Sequence, residues 1–133
     1  MKYLLDTNIC VFFFRGKYNI ADFFRTKGLE NCCISEITVV ELRYGAENSI
    51  NPQKNHEIID HFLKKITVLP ITDSILVFAK EKVRLRKSGT PMYDNFDLLI
   101  GATAIQKKLV LVTDNTKDFE RLANIKIENW VKR

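Results

Sequence analysis

Two histidines, three cysteines and five glycines are all that 133 residues contain of these types, and each shortage excludes a class of chemistry. Cys10, Cys32 and Cys33 are odd in number, two of them are adjacent, and no C-x-x-C occurs, so neither a disulfide framework nor a thiolate zinc site fits. They read as buried thiols in a reducing compartment. His56 and His61 stand five residues apart, which on a helix points them to different faces and argues against a shared metal or catalytic role. No Gly-rich loop that could cradle phosphates occurs, which disfavours nucleotide-binding folds. No apolar run is long enough to span a bilayer, and Met1 is not followed by a basic stretch, an apolar run and a small-residue cleavage site. A cytoplasmic protein with no membrane role is expected.

What is present is 46% hydrophobic and 28% charged residue, the balance of one compact domain, 1–133, with a real core and no room for a second. The net charge of +5 favours polyanions at long range, and nucleic acid is the commonest polyanion in a cytosol. Charge alone leaves solubility as an equal explanation, so the decision rests on the placement of particular residues.

The chain alternates strand-like and helix-like segments. KYLL at 2–5 is a short apolar run that stops at Asp6-Thr7-Asn8 and hands over to ICVFFFR, which reads as an apolar helix. Gly28 and Asn31 punctuate the stretch before Cys32-Cys33-Ile34, a short buried strand, and Ser35 then caps a helix through Glu47. Asn51-Pro52 opens a helix over 53–65, followed by the strand Ile66–Leu69 that Pro70 ends. Thr72-Asp73 caps a helix to about Lys87, and Ser88-Gly89 closes it. Asp94 caps a helix through Lys108, and Leu109–Val112 is the most strand-like segment of all. A short helix around Lys117–Leu122 and a strand near Lys126–Glu128 complete the series, which predicts a parallel sheet with helices on both faces.

In such a sheet, sites form beyond the C-terminal ends of strands, and acids gather there. Asp6 follows the first strand and Asp114 the fourth; Glu41 lies six residues into the helix that leaves the second; Asp97 stands in the first turn of an otherwise apolar helix. Carboxylates brought together raise one another's pKa, and a divalent cation offsets that repulsion. An all-oxygen ligand set selects Mg²⁺ or Mn²⁺ over zinc, and the chemistry such a site serves is phosphodiester hydrolysis by activated water. Each acid has a plainer reading: Asp6 as a helix cap, Asp97 as a first-turn acid stabilised by the helix dipole, and Glu41 as a surface residue. For Glu41 the neighbours Ile37, Thr38, Tyr44 and Gly45 do not make a charged face.

Two other features are weaker. Lys80, Arg84 and Lys87, with Lys82 and Arg86 beside them, form basic stripes that could grip RNA phosphates, although a solvated helix face is the preferred reading. ICVFFF carries more apolar bulk than one face of a small domain needs, so beyond core packing it could serve a dimer or partner surface. A phosphotransferase using a strand-one aspartate would want a second aspartate where Asn8 stands, and a receiver domain would want an acidic pair where Asp6-Thr7 stands. A non-catalytic RNA- or protein-binding module, its acids serving as caps and surface charge, is the rival from another class.

LLDTN at 4–8, SEITVVELRYGA at 35–46, FDLLIGATA at 96–104 and LVTDNTKDFERL at 111–122, with Trp130 near the end, together resemble the PIN-domain toxins called VapC, in order and over nearly the whole chain. The resemblance implies a three-layer α/β/α fold with a mostly parallel sheet of four to five strands, and a Mg²⁺- or Mn²⁺-dependent endoribonuclease. It makes Asp6 and Asp97 the principal metal ligands and Glu41 the third acid. At the fourth acidic place it finds Asn115, with Asp114 before and Asp118 after, any of which could complete the site. Asn8 and Thr113 match positions that orient the acids by hydrogen bonds. It further implies a homodimer, inhibition by a small VapB-type antitoxin whose C-terminal segment enters the active site, and structured RNA, transfer RNA foremost, as substrate.

Overall fold

A computed structural model describes residues 1–133. Five short strands, β1 (Tyr3–Leu5), β2 (Cys32–Ser35), β3 (Thr67–Leu69), β4 (Val110–Val112) and β5 (Lys126–Glu128), form one sheet in the order β3-β2-β1-β4-β5. Every neighbouring pair is parallel, as the strand–helix alternation predicts. Seven helices connect them: α1 (Thr7–Phe14), α2 (Ile20–Lys27), α3 (Glu36–Glu47), α4 (Pro52–Leu63), α5 (Ile75–Lys87), α6 (Asn95–Lys107) and α7 (Thr116–Phe119).

The period-two alternation of strand side chains sorts the core into two layers. Tyr3, Leu5, Cys32, Ile34 and Val112 face one side, where they pack with Ile9, Cys10, Phe24, Ile59, Phe62 and Trp130. Leu4, Cys33 and Leu111 face the other, against Leu85, Leu98, Ile100, Ala104, Phe119 and Leu122. Helices α1, α2 and α4 therefore cover one face and α5, α6 and α7 the other. Helix α3 sits at the edge of both, with Ile37 in the second cluster and Leu42 and Ala46 in the first. This is the three-layer α/β/α architecture.

Helix starts fall where capping side chains stand. Ser35 Oγ accepts from the Ile37 amide at 3.0 Å, Asn51 Oδ1 from Lys54 at 3.2 Å and Asp94 Oδ1 from Asp97 at 3.1 Å. Helix α2 is the element sequence reading leaves out. It is eight residues long, and its first cap position, Asn19, is left-handed and makes no side-chain capping bond, so it carries no start signal. At the other predicted helices the differences are small: Thr72–Ser74 is a 3₁₀ turn before α5, and α7 ends at Phe119 rather than Leu122.

All three cysteines are buried and unpaired. Burial pushes the Cys32 thiol up to about 11 and the Cys33 thiol to about 12, so they pack as apolar groups and are not nucleophiles. No helix is long and apolar enough to cross a membrane.

Candidate active site

The strand order reverses at β1: successive strands run outward to β3 on one side, and the chain then returns to place β4 on the other side. The crevice beyond the ends of β1 and β4 is the switch point at which open parallel sheets form their sites. Asp6 closes β1 and Thr113 closes β4, and they meet there: the Thr113 hydroxyl donates to Asp6 Oδ2 at 2.7 Å, while Asp6 Oδ1 accepts from the Thr7 amide at 2.8 Å. The capping and site readings of Asp6 are thus compatible, since one oxygen serves the turn and both keep lone pairs free.

Glu41 is brought in from α3. Thr7 Oγ1 donates to Glu41 Oε1 at 2.7 Å and lies 3.1 Å from the hydroxyl of Thr38, one turn earlier on the same helix. Asp97 arrives on the first turn of α6, whose buried residues Leu98, Ile100, Gly101 and Ala102 hold the helix end against the sheet. Asp6, Thr7, Asn8, Val11, Phe12, Glu41, Asp97 and Asn115 line a single pocket of about 320 Å³.

Its electrostatics are those of an acidic hole. Burial raises the Asp6 pKa to about 6 despite the hydrogen bonds from Thr113 and Thr7, and Glu41 and Asp94 add repulsion. Asp97 rises further, to about 7, by burial and then by the charges of Asp6, Asp94, Glu41 and Asp118. No cationic side chain lines the pocket. Carboxyls that hold protons toward neutrality, for want of a counter-charge, fit a divalent cation, and the donors are all oxygen. They line the pocket without closing into a ready three-ligand cluster.

The T-D-N segment after β4 divides its residues. Asn115 faces the pocket; its amide nitrogen Nδ2 donates to Asp118 Oδ2 at 2.9 Å, and its backbone amide to Thr113 Oγ1 at 3.0 Å. Asp114 turns away. Its carboxylate takes a two-pronged ion pair from Arg133, at 2.9 and 2.8 Å, and a further bond from Asn129 at 3.1 Å. The guanidinium holds Asp114 below the usual carboxylate range, the opposite of Asp6 and Asp97. Asp118 is exposed and does not line the pocket, reaching it through Asn115 and through its charge on Asp97. Asn8 lines the pocket, its side-chain oxygen 3.5 Å from the Asp114 amide.

Two hydroxyls escape sequence reading. Thr7 figures there only as part of the turn after the first strand and Thr38 only as a neighbour of Glu41, yet Thr7 is the donor that aims Glu41. The basic groove of Lys80, Arg84 and Lys87 lies on α5, outside the acidic pocket. His56 is taken up with Glu47, at 2.9 Å, on the far end of α3.

Comparison with known proteins agrees with this fold. The sequence profile of the PIN domain matches residues 3–125. The chain is 36% identical over 132 residues to the tRNA(fMet)-specific endonuclease VapC of Salmonella typhimurium, covering 98% of both chains, and 37% identical over 134 residues to ribonuclease VapC2 of Haemophilus influenzae. Among solved structures, a chain of the DNA-bound VapBC complex of Salmonella typhimurium superposes with a TM-score of 0.90 at 34% identity, covering 98% of each chain. One from the Rickettsia felis VapBC2 complex on a promoter DNA fragment gives 0.84 at 32% identity, covering 98% and 99%.

Proposed function

The chain belongs to the PIN-domain family, and from that premise we propose that it is a VapC-type endoribonuclease, the toxin of a VapBC-type pair, hydrolysing structured RNA in the cytoplasm with the help of Mg²⁺ or Mn²⁺. The observation that carries the reading is the convergence of Asp6, Glu41, Asp97 and Asn115, from four separate elements, on one pocket without a neutralising cation. A structural acid would be paired or solvated; these are neither fully.

Asp6, Glu41 and Asp97 would hold the cation, which when bound neutralises phosphate charge and lowers the pKa of water. The chain's own residues supply the rest. Thr113 and the Thr7 amide fix the plane of the Asp6 carboxylate, and Thr7 Oγ1 fixes Glu41, so neither has to reorganise as charge develops. The N-terminus of α6 offers its positive dipole end beside Asp97, which favours the ionised carboxylate. The amides of Asn8 and Asn115 can donate to substrate oxygens at the pocket wall. The basic exterior draws the polyanion in, while the pocket itself repels a phosphate until its acids are neutralised.

Transfer RNA is the first substrate to try, because a relative 36% identical bears the name of a tRNA(fMet)-specific endonuclease. A VapB-type antitoxin is the expected partner, as in the VapBC complexes whose toxin chains this fold matches. An apolar cleft of about 600 Å³ between α1, α2 and α4, lined by Phe13, Phe14, Phe24, Ile58 and Phe62, is available to such a partner. A basic residue of the antitoxin entering the acidic pocket would compete with the cation for the carboxylates. A homodimer is supported by exposed Leu76, Ala79 and Val83 along α5, an aliphatic stripe that water alone would not select.

The test is cleavage of total RNA and of purified transfer RNA by the chain freed of antitoxin, with Mg²⁺, Mn²⁺ or EDTA, beside Asp97→Asn and Asp6→Asn. Discrete fragments are expected with the metals, none with EDTA or either variant, and near-normal folding throughout. If the folded chain binds RNA and never cuts it, the binding-module reading takes its place.

A further inference from the structure

Just before Asp97, which lines the acidic pocket, two large aromatic side chains stand uncovered. Tyr93 is 85% exposed and Phe96 is 44% exposed; they flank the α6 cap Asp94 and precede Asp97 by four residues and one. The backbone that carries them is well anchored. Met92, next to Tyr93, is buried. Arg121 Nη1 donates to the carbonyls of Thr90 and Pro91 at 3.4 and 2.9 Å, and Asp94 caps α6. The chain is thus held on both sides of Tyr93 while the ring itself points into water, a pre-organised arrangement rather than a collapsed one.

Two basic residues of α5 lie near the segment that carries these rings. Contacts of Lys107 with Asp73 and of Lys82 with Asn95 show that α5 and α6 run antiparallel, which brings the second half of α5 to the mouth of the site. The Lys82 ammonium donates to Asn95, the residue before Phe96. Arg86 lies one turn on along the same side of α5, is exposed, and takes part in none of the chain's ion pairs. Exposed rings for base faces, with basic side chains for the adjoining phosphates, are the combination by which proteins hold unpaired nucleotides.

We propose that Tyr93 and Phe96, with Lys82 and Arg86, form a stacking subsite for an unpaired nucleobase of the RNA, next to the phosphate presented to the acidic pocket. The inference rests on the ribonuclease reading of that pocket and extends it by naming the side chains that would hold the RNA beside the cut.

The test uses the full chain carrying Asp97→Asn, so that RNA stays intact, and an RNA hairpin with 2-aminopurine in its loop. Binding should change the fluorescence of the probe by stacking. Adding Tyr93→Ala or Phe96→Ala should weaken binding about tenfold and abolish that signal, whereas Tyr93→Phe and Phe96→Tyr keep both. With Asp97 restored, the alanine variants should raise KM more than they lower kcat. Alanine variants that bind and stack the probe like the parent would overturn the subsite. So would variants that turn a dimer into a monomer while each chain keeps its affinity, because the rings would then belong to an interface between copies. Stacking that is lost in the alanine variants, from a protein whose Asp97 form never cuts RNA, would leave the subsite standing and remove the ribonuclease reading.

Discussion

Asp6 and Asp97 hold their protons to about 6 and about 7, where unfolded aspartates ionise near 3.8. In the metal-free chain, folding therefore takes up protons between those values, and stability is highest below pH 4 as far as these two groups decide it. It is lost as pH rises through the folded pKa values and levels off above neutrality. For Asp6, nearly fully buried, the effect reaches about 3 kcal/mol by pH 7; Asp97, more open to water, contributes less. Thermal melts in EDTA should thus show Asp97→Asn more stable than the parent at pH 8, with the two converging as pH falls toward 4. A variant less stable than the parent at pH 8 would contradict an uncompensated Asp97. Thr7 supplies a separate test. Its hydroxyl is the donor to Glu41, so Thr7→Val should lower cleavage about 10- to 100-fold with little change in the melt, and Thr7→Ser should restore it. The acids were legible because a carboxylate at a strand end or on an apolar helix is conspicuous. Thr7 was not, because a threonine after an aspartate at a helix start reads as a cap, and only the approach of α3 gives its hydroxyl another partner.

At the scale of elements, α6 does the most to shape the site. Its apolar faces pack into the sheet and α7, and Gly101 is the point of closest approach: a methyl there would collide with Leu122 Cδ1 and come within 3.3 Å of Phe119. Gly101→Ala should destabilise the fold by about 1–3 kcal/mol through overpacking, in spite of alanine's better helix propensity, as urea denaturation would show. A gain in stability would mean that α7 yields easily. Helices with capping side chains were visible to within a residue or two, and all five strands were found. Helix α2 was not, because it is held by what it packs against rather than by local signals: Phe24 meets Phe13 and Phe62 at ring distances of 4.8 and 6.4 Å, and Phe23 stacks on Trp130. The ICVFFF segment also resolves here. Ile9 and Cys10 are core, while Phe13 and Phe14 divide their surface between the core and the apolar cleft.

For the whole molecule, a net charge of +5 surrounds an acidic pocket, and the two signs separate in experiment. RNA binding by the Asp97→Asn chain should weaken steeply with salt, log Kd changing linearly with log salt as phosphate contacts release counterions. Mg²⁺ or Mn²⁺ should raise the melting temperature of the parent at pH 7.5 and leave that of Asp97→Asn nearly unchanged, because a ligand stabilises only the state that binds it. Equal stabilisation of both proteins would place the metal elsewhere. From the sequence alone came the parallel three-layer class, the order of its strands and helices along the chain, and the candidacy of Asp6, Glu41 and Asp97, because periodicity, capping residues and acids at strand ends are local properties. Which residue of Thr113-Asp114-Asn115 faces the pocket was decided only in three dimensions. Arg133, 19 residues beyond Asp114, draws that carboxylate outward, the turn leaves Asn115 at the wall, and α3 brings Thr38 and Glu41 to Thr7. Such choices depend on partners far apart in the chain, which no local pattern encodes.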